Sequence, residues 1–256
     1  MKIVDEQGYV ILVIKHPTRD YFDCARTLCK TIKMWDPEAQ VCLITDQPQA
    51  NDPIYDHYRV LTSVDYENPW ANDWQVYRQS PFRETIKLEA DMMITSPIDH
   101  WWDLFRHRDV VVSTGCRDFY GNLSSNRHYR KFIDQNNLPD VYNAITYWRV
   151  SETAREFFGW VRDIFQNWKE FRKTVKYAEE VPSTDFVYAM AAEIVGRERV
   201  TMPFTSYPQI VHMKRHIIGT ETERWGQELV WEYKNGNLRI NTVAQHGAFH
   251  YGRGWS

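Results

Sequence analysis

Apolar positions along this chain follow two rhythms, unbroken runs and helical spacings. Tyr9-Val10-Ile11-Leu12-Val13-Ile14 is an unbroken, β-branched run and predicts a first strand buried on both faces. Lys15-His16-Pro17-Thr18-Arg19 breaks it as a polar loop. Asp20 is placed to cap a helix reaching about Met34, in which Tyr21, Ala25, Leu28 and Ile32 recur at helical spacing. Asp36-Pro37 ends that helix, and Val41-Cys42-Leu43-Ile44-Thr45 predicts a second buried strand with Asp46 just past its carboxyl end. Strand, helix and strand make a βαβ unit, so the sheet is expected to begin parallel.

Residues 51–74 are rich in Asp, Asn, Pro and Tyr and read as irregular. Tyr77, Phe82 and Ile86 then suggest a helix carrying Arg78, Arg83 and Lys87, running directly into Leu88-Glu89-Ala90-Asp91-Met92-Met93-Ile94. Trp101 to Phe105 predicts a short helix, Asp109 to Thr114 a buried strand, and 117–140 a polar loop. Tyr142 to Val150 predicts a strand, after which Ser151 caps a helix from Glu152 to about Trp168. Thr184-Asp185 opens a helix over Phe186 to Val195, and Gln209 to Met213 is a late strand. Trp231 to Ile240 is a hairpin turning at Asn235-Gly236-Asn237. With no linker, Pro-rich stretch or repeat, residues 1–256 are expected to form one α/β domain. Its central sheet should be mixed but mostly parallel, flanked by helices and followed by a C-terminal hairpin.

Composition narrows the function classes. A formal net charge of -3 does not describe a strongly basic nucleic-acid binder, although a local basic groove is compatible with it. Cys24, Cys29, Cys42 and Cys116 form no CxxC pair and are expected to be buried thiols. The N-terminal residues lack a basic-then-apolar signal pattern, and no apolar run is long enough to span a bilayer. A cytoplasmic protein without a membrane partner is therefore expected. Neither GxGxxG nor GxxxxGK[ST] occurs, so the common nucleotide-binding loops are missing from the sequence.

In parallel sheets ligands bind outside the carboxyl ends of the strands, which places His16, Thr18 and Asp46 to meet one. The focal pair is Glu89-x-Asp91. Two carboxylates two apart on an extended segment face the same way and can share one divalent ion. Oxygen ligands suit Mn²⁺ or Mg²⁺, and such an ion offsets charge on a diphosphate leaving group. A charged pair flanked by buried strand residues also needs a reason to be there.

From strand and polar loop to acidic-x-Asp motif, the order of elements resembles a GT-A glycosyltransferase, a Rossmann-like fold. Leu88-Glu89-Ala90-Asp91-Met92-Met93-Ile94 is similar to the DxD segment of that superfamily, especially its glycogenin-like branch, with Glu in place of the first Asp. The resemblance implies a nucleotide-diphosphate sugar as donor, with His16 and Thr18 holding its base and ribose. It implies that Asn143, within Tyr142 to Tyr147, lines the sugar site, and that Asp185 lies near the acceptor. In Ile210-Val211-His212-Met213-Lys214 it implies a His completing the metal site and a Lys binding the diphosphate. His250 and Arg253 offer the same pairing of His and cation, with His212 preferred as third ligand. Ser80-Pro81-Phe82, Trp101-Trp102, Asn137-Leu138-Pro139 and His212-Met213-Lys214 also look like bacteriophage glycosyltransferases, some of which modify hydroxymethylated pyrimidines in DNA.

Of Arg78, Arg83 and Lys87, Arg83 is the preferred contact to the donor sugar or diphosphate. Asp118 and Asp185 are candidates to orient or deprotonate the acceptor hydroxyl. One of them acts as base if the reaction inverts the anomeric centre, and neither is required if it retains it. Basic patches at Arg127 to Lys131, Lys169 to Lys176 and Lys214 to His216, with Tyr129 and Phe171 interleaved, could follow a phosphate backbone. The leading expectation is a hexosyl- or pentosyltransferase acting on hydroxymethylcytosine or a related base in phage DNA. The alternatives are a glycan, protein or small-molecule acceptor, a nucleotidyltransferase, and a non-catalytic nucleotide- or DNA-binding module. A nucleotidyltransferase should carry a Gly-rich loop after the first strand, and Lys15 to Arg19 contains no glycine.

Overall fold

The computed structural model describes residues 3–48, 52–124, 126, 130–202 and 210–252. β1 (Asp5–Val13), α1 (Tyr21–Trp35) and β2 (Val41–Thr45) form the expected βαβ unit. The Asp20 carboxylate accepts from the backbone N–H groups of Phe22 and Asp23, satisfying two of the orphan donors at the start of α1. β1 and β2 pair in parallel from Tyr9 opposite Val41 to Val13 opposite Thr45.

Within the stretch expected to be irregular, β3 (His57–Val60) adds a parallel edge strand and Pro69–Gln75 winds into a 3-10 helix. The Asn72 amide fixes that helix, donating to the Asp65 and Pro69 carbonyls and accepting from the Asp65 N–H. α2 (Val76–Gln79) is a single turn, and β4 (Phe82–Leu88) is a strand where a basic helix was expected. Pro81 accounts for the difference. It forces Ser80 into extended backbone at φ -56°, ψ 131°, which stops the helix. Beyond it, β4 lies between β1 and β7 and its backbone groups are satisfied from both sides.

β5 (Met92–Ile94), α3 (His100–Phe105), β6 (Val110–Thr114), α4 (Lys131–Gln135) and β7 (Val141–Arg149) follow. α4 supplies one short helix inside the stretch read as a loop. Next come α5 (Glu152–Gln166), α6 (Trp168–Phe171), α7 (Thr184–Val195) and α8 (Arg197–Val200). Ser151 caps α5 and Ser183 caps α7, each through its hydroxyl. The chain closes with β8 (Ile210–His212), α9 (Arg215–Ile218), α10 (Trp225–Glu228), β9 (Trp231–Lys234), β10 (Asn237–Ile240), β11 (Val243–Ala244) and β12 (Ala248–His250). The turn between β9 and β10 holds Asn235 and Gly236 at φ 49° and 80°, the left-handed pair that a two-residue hairpin requires.

The six-stranded sheet runs β3-β2-β1-β4-β7-β6, with β7 alone antiparallel to its neighbours. Helices cover both faces, which explains the unbroken apolar run of β1. Tyr9, Ile11 and Val13 enter a core with residues of α1 and α3, while Val10 and Ile14 enter one with residues of α5 and α7. A three-stranded sheet, β5-β12-β8, and the hairpin enclose a smaller core around Phe249 and Trp225. The α/β class, the mostly parallel sheet, the flanking helices and the C-terminal hairpin are those expected.

Gly8 on β1 leaves room for the buried Phe82 ring, and a Cβ built there would meet ring carbons at 2.4 to 2.7 Å. Gly8→Ala should therefore overpack this contact and cost about 1–3 kcal/mol. In urea unfolding the midpoint should fall with an unchanged slope. An unchanged midpoint would show that the ring relaxes freely.

Candidate metal and ligand site

Because β1 and β4 are parallel, both release the chain on the same side of the sheet, and a cavity of about 540 Å³ opens there. Leu12, Val13, Ile14, His16 and Arg19 line it from the end of β1, and Lys87, Glu89, Ala90 and Asp91 from the end of β4. Pro69, Trp70, Asp73 and Thr184 contribute from the side of α5 and α7. His212 to His216, Glu223, His250 and Gly252 contribute from the C-terminal elements.

Glu89 and Asp91 were expected on one extended segment; instead they lie at the turn between β4 and β5. That turn is held from outside. Glu89 N–H donates to the Ala144 carbonyl at 3.1 Å, and Tyr251 N–H donates to the Asp91 carbonyl at 3.2 Å. β12 pairs His250 opposite Met92, the residue after Asp91, and this register brings its ring between the carboxylates. His250 Nε2 lies 2.9 Å from Asp91 Oδ1, and Nδ1 lies 3.5 Å from Glu89 Oε2. One potential ligand atom from each of the three residues lies within 4.8 Å of the others.

His212, the residue preferred as third ligand from the sequence, lines the same cavity but stands outside this group. His212 is opposite His250 in the parallel β8–β12 pairing, so its ring stacks on His250 at 4.4 Å instead of joining the carboxylates. The two imidazoles are also electrostatically distinct. Burial and the neighbouring His250 push His212 well below its ordinary range, which keeps it neutral. Burial opposes charge on His250 too, but Asp91 and then Glu89 outweigh it and raise its pKa.

The carboxylates diverge in the same way. Burial raises Glu89, against the pull of His250 and Lys87, although 34% of its side chain still meets the cavity. Burial also works against charge on Asp91, but His250 and Arg19 prevail and lower it. Arg19 donates to Asp91 Oδ2 at 3.0 Å and to the Gly252 carbonyl, so it ties the β1 loop to the C-terminal segment.

Below them is a buried ion pair. Lys87 Nζ lies 2.8 Å from Asp73 Oδ1 and donates to the Asn143 carbonyl at 3.2 Å. Asp73 Oδ2 accepts from Asn143 Nδ2 at 2.9 Å and from the Tyr188 hydroxyl. A buried pair is tolerated only when its remaining hydrogen-bonding sites are filled in this manner.

The other expected site residues divide. His16 and Lys214 line the cavity, and Asn143 braces its floor. Thr18 lines an adjoining hollow with His16, Arg19, Tyr21 and Glu223. Asp46 accepts from the Lys15 N–H at 3.0 Å and steadies the loop behind the site. Arg83 is not brought to it, because β4 places Arg83 at its far end, where it pairs with Glu6 at 3.0 Å. Asp185 is engaged by the Asn143 N–H at 2.8 Å and Arg130 at 3.1 Å, and Asp118 closes a local turn by accepting from Tyr120 and Asn122. Neither Asp185 nor Asp118 lines the cavity among the described residues, and Arg253 falls outside those residues. Sequence reading missed Arg19, Trp70 and Asp73. Arg19 had a signal in its place after β1, whereas the other two lay in a stretch without periodicity.

No family model and no curated protein matches the sequence. Among solved structures, the chain is similar to the apo structure of the bifunctional glycosyltransferase WbbM, at 11% identity and a TM-score of 0.47. That likeness covers 77% of this chain and 38% of WbbM. It is also similar to the glycosyltransferase GlyE of Streptococcus pneumoniae TIGR4, at 11% identity and a TM-score of 0.49, over 77% of this chain and 46% of that one. The chain spans less than half the length of either protein. At this level neither likeness assigns an activity to it.

Removing Lys87 alone should strand Asp73 in the interior. Lys87→Ala should cost about 3–5 kcal/mol, as removal of one buried partner does. Lys87→Met combined with Asp73→Asn should recover much of that loss in urea unfolding. Equal loss in the single and double variants would show that the pair is not the reason.

Proposed function

We propose that this chain is a metal-dependent glycosyltransferase that moves a sugar from a nucleotide-diphosphate donor to a hydroxyl. The convergence of Glu89, Asp91 and His250 on one cavity wall carries this reading. Two carboxylates and one imidazole are a donor set that fits Mn²⁺ or Mg²⁺. When bound, such an ion would supply positive charge to the departing diphosphate.

The residues around that set have complementary tasks. Lys214 and Arg215 line the same cavity and can offset further diphosphate charge. Arg19 keeps Asp91 ionised and oriented. In the transfer, the acceptor oxygen bonds to the anomeric carbon while the anomeric bond to the diphosphate oxygen breaks. The bonding electrons leave with the diphosphate, and the hydroxyl proton passes to solvent or a base.

A hydroxymethylpyrimidine in DNA is the acceptor implied by the phage resemblance. It would have to be flipped out or met in a single strand. Of the basic patches, Lys214 to His216 reaches the cavity. Between Lys169 and Lys176, Arg172 is spent on the Tyr177 and Ala178 carbonyls, Lys173 pairs with Glu170, and Phe171 packs on the core. Arg127, His128 and Tyr129 lie outside the described residues.

The test is release of nucleoside diphosphate from a panel of nucleotide sugars with Mn²⁺ or Mg²⁺. Chelation should abolish release, and Asp91→Asn or His250→Ala should lower it about 100-fold or more, near 3 kcal/mol. His212→Ala should cost less. Release that survives both chelation and Asp91→Asn would refute the metal site, and binding without turnover of any donor would favour a non-catalytic module.

A further inference from the structure

We propose that Arg19 makes cation binding at this site conditional on an anion that arrives with the ion. The inference rests on the metal-site reading above and assigns Arg19 a part in it. Arg19 reaches the cluster from the loop after β1, and its Nη1 donates to Asp91 Oδ2 at 3.0 Å. Both side chains are largely withdrawn from water, at 17% and 13% exposure. The guanidinium is fixed on its other sides as well. Nη2 donates to the Gly252 carbonyl and approaches Cys24 Sγ at 3.8 Å, and the Tyr21 ring lies 4.8 Å from Cζ. Held in this way, Arg19 is a resident charge of the site, not a side chain free to leave it.

Glu89 and Asp91 bring two negative charges to the cluster, and Arg19 brings one positive charge. A divalent ion therefore leaves one of its own charges uncompensated. Lys87 does not alter this count, because Asp73 is its partner at 2.8 Å. Lys214 and Arg215 on the same cavity wall add positive charge, against Glu223. A surplus charge is costly in a partly enclosed site of low dielectric. An anion of the phosphate class removes that surplus, and Lys214 and Arg215 are placed to meet it. Without Arg19 the two carboxylates would balance the ion by themselves, and the anion would not be needed. The site thus takes up a cation and a phosphate-bearing ligand together instead of holding the cation alone.

Mn²⁺ binding to the full chain, followed by electron paramagnetic resonance, tests this with two probes, Mn²⁺ alone and the Mn²⁺–diphosphate complex. The parent should bind the complex at least about tenfold more tightly than the lone ion. Arg19→Gln should bind the lone ion at least about tenfold more tightly than the parent does, and its preference for the complex should shrink to match. Arg19→Lys, which keeps the charge, should behave like the parent. A purely structural Arg19 predicts weaker binding of both probes in Arg19→Gln. Equal parental affinity for the two probes, lone-ion binding in Arg19→Gln no tighter than in the parent, or an Arg19→Lys variant that behaves like Arg19→Gln would each overturn the proposal. Asp91→Asn separates the proposal from the metal site on which it rests. Binding that is lost in Asp91→Asn but indifferent to Arg19→Gln keeps the metal site and removes the role of Arg19. Binding of neither probe by the parent, or binding that survives Asp91→Asn, defeats both.

Discussion

The site depends on the register of one three-residue strand. β12 lies between β5 and β8, with His250 opposite both Met92 and His212. A slip of one residue would turn His250 away from Asp91 and present Phe249 instead. Phe249 prevents this, because it is fully buried against Trp225, Leu238, Met93 and Val211. An apolar core thus sets the geometry of a charged cluster. The hairpin earns its place in the fold the same way, since β10 delivers Leu238 and Ile240 to that core.

Charge at the end of the sheet is handled in two tiers. Deeper down, Lys87 and Asp73 lie 2.8 Å apart and fill their remaining hydrogen-bonding sites with Asn143 and Tyr188, as a buried pair requires. Nearer the opening, Glu89 and Asp91 sit two residues apart and yet respond oppositely. His250 and Arg19 secure the charge of Asp91, whereas burial raises Glu89 against the pull of His250, at 3.5 Å, and of Lys87. A second cation beside Glu89 would complete the balance, which is the electrostatic case for a metal at this position.

Much of this was legible in the sequence. The apolar runs located β1 and β2, Asp20 and Ser151 marked helix starts, and Asn235-Gly236 marked the hairpin. Glu89-x-Asp91 pointed to the candidate site because two acids interrupt an apolar stretch. What failed had physical causes. Tyr77, Phe82 and Ile86 fit a helical spacing, and Pro81 carried the contrary signal that a helix could not continue. His212 was preferred to His250 without the register that stacks one on the other, which no local pattern reports. Asp73 was invisible because its partner Lys87 belongs to a distant strand, and no local periodicity reports a tertiary ion pair.

The central claim is that Glu89, Asp91 and His250 form one divalent-metal centre. A crystal of the protein grown with Mn²⁺, measured for anomalous scattering, tests it most directly. The account predicts a peak bounded by oxygen from Glu89 and Asp91 and nitrogen from His250, with His212 stacked outside the coordination sphere. A peak ligated by His212 in place of His250, or no peak while Arg19 and His250 still occupy Asp91, would contradict it.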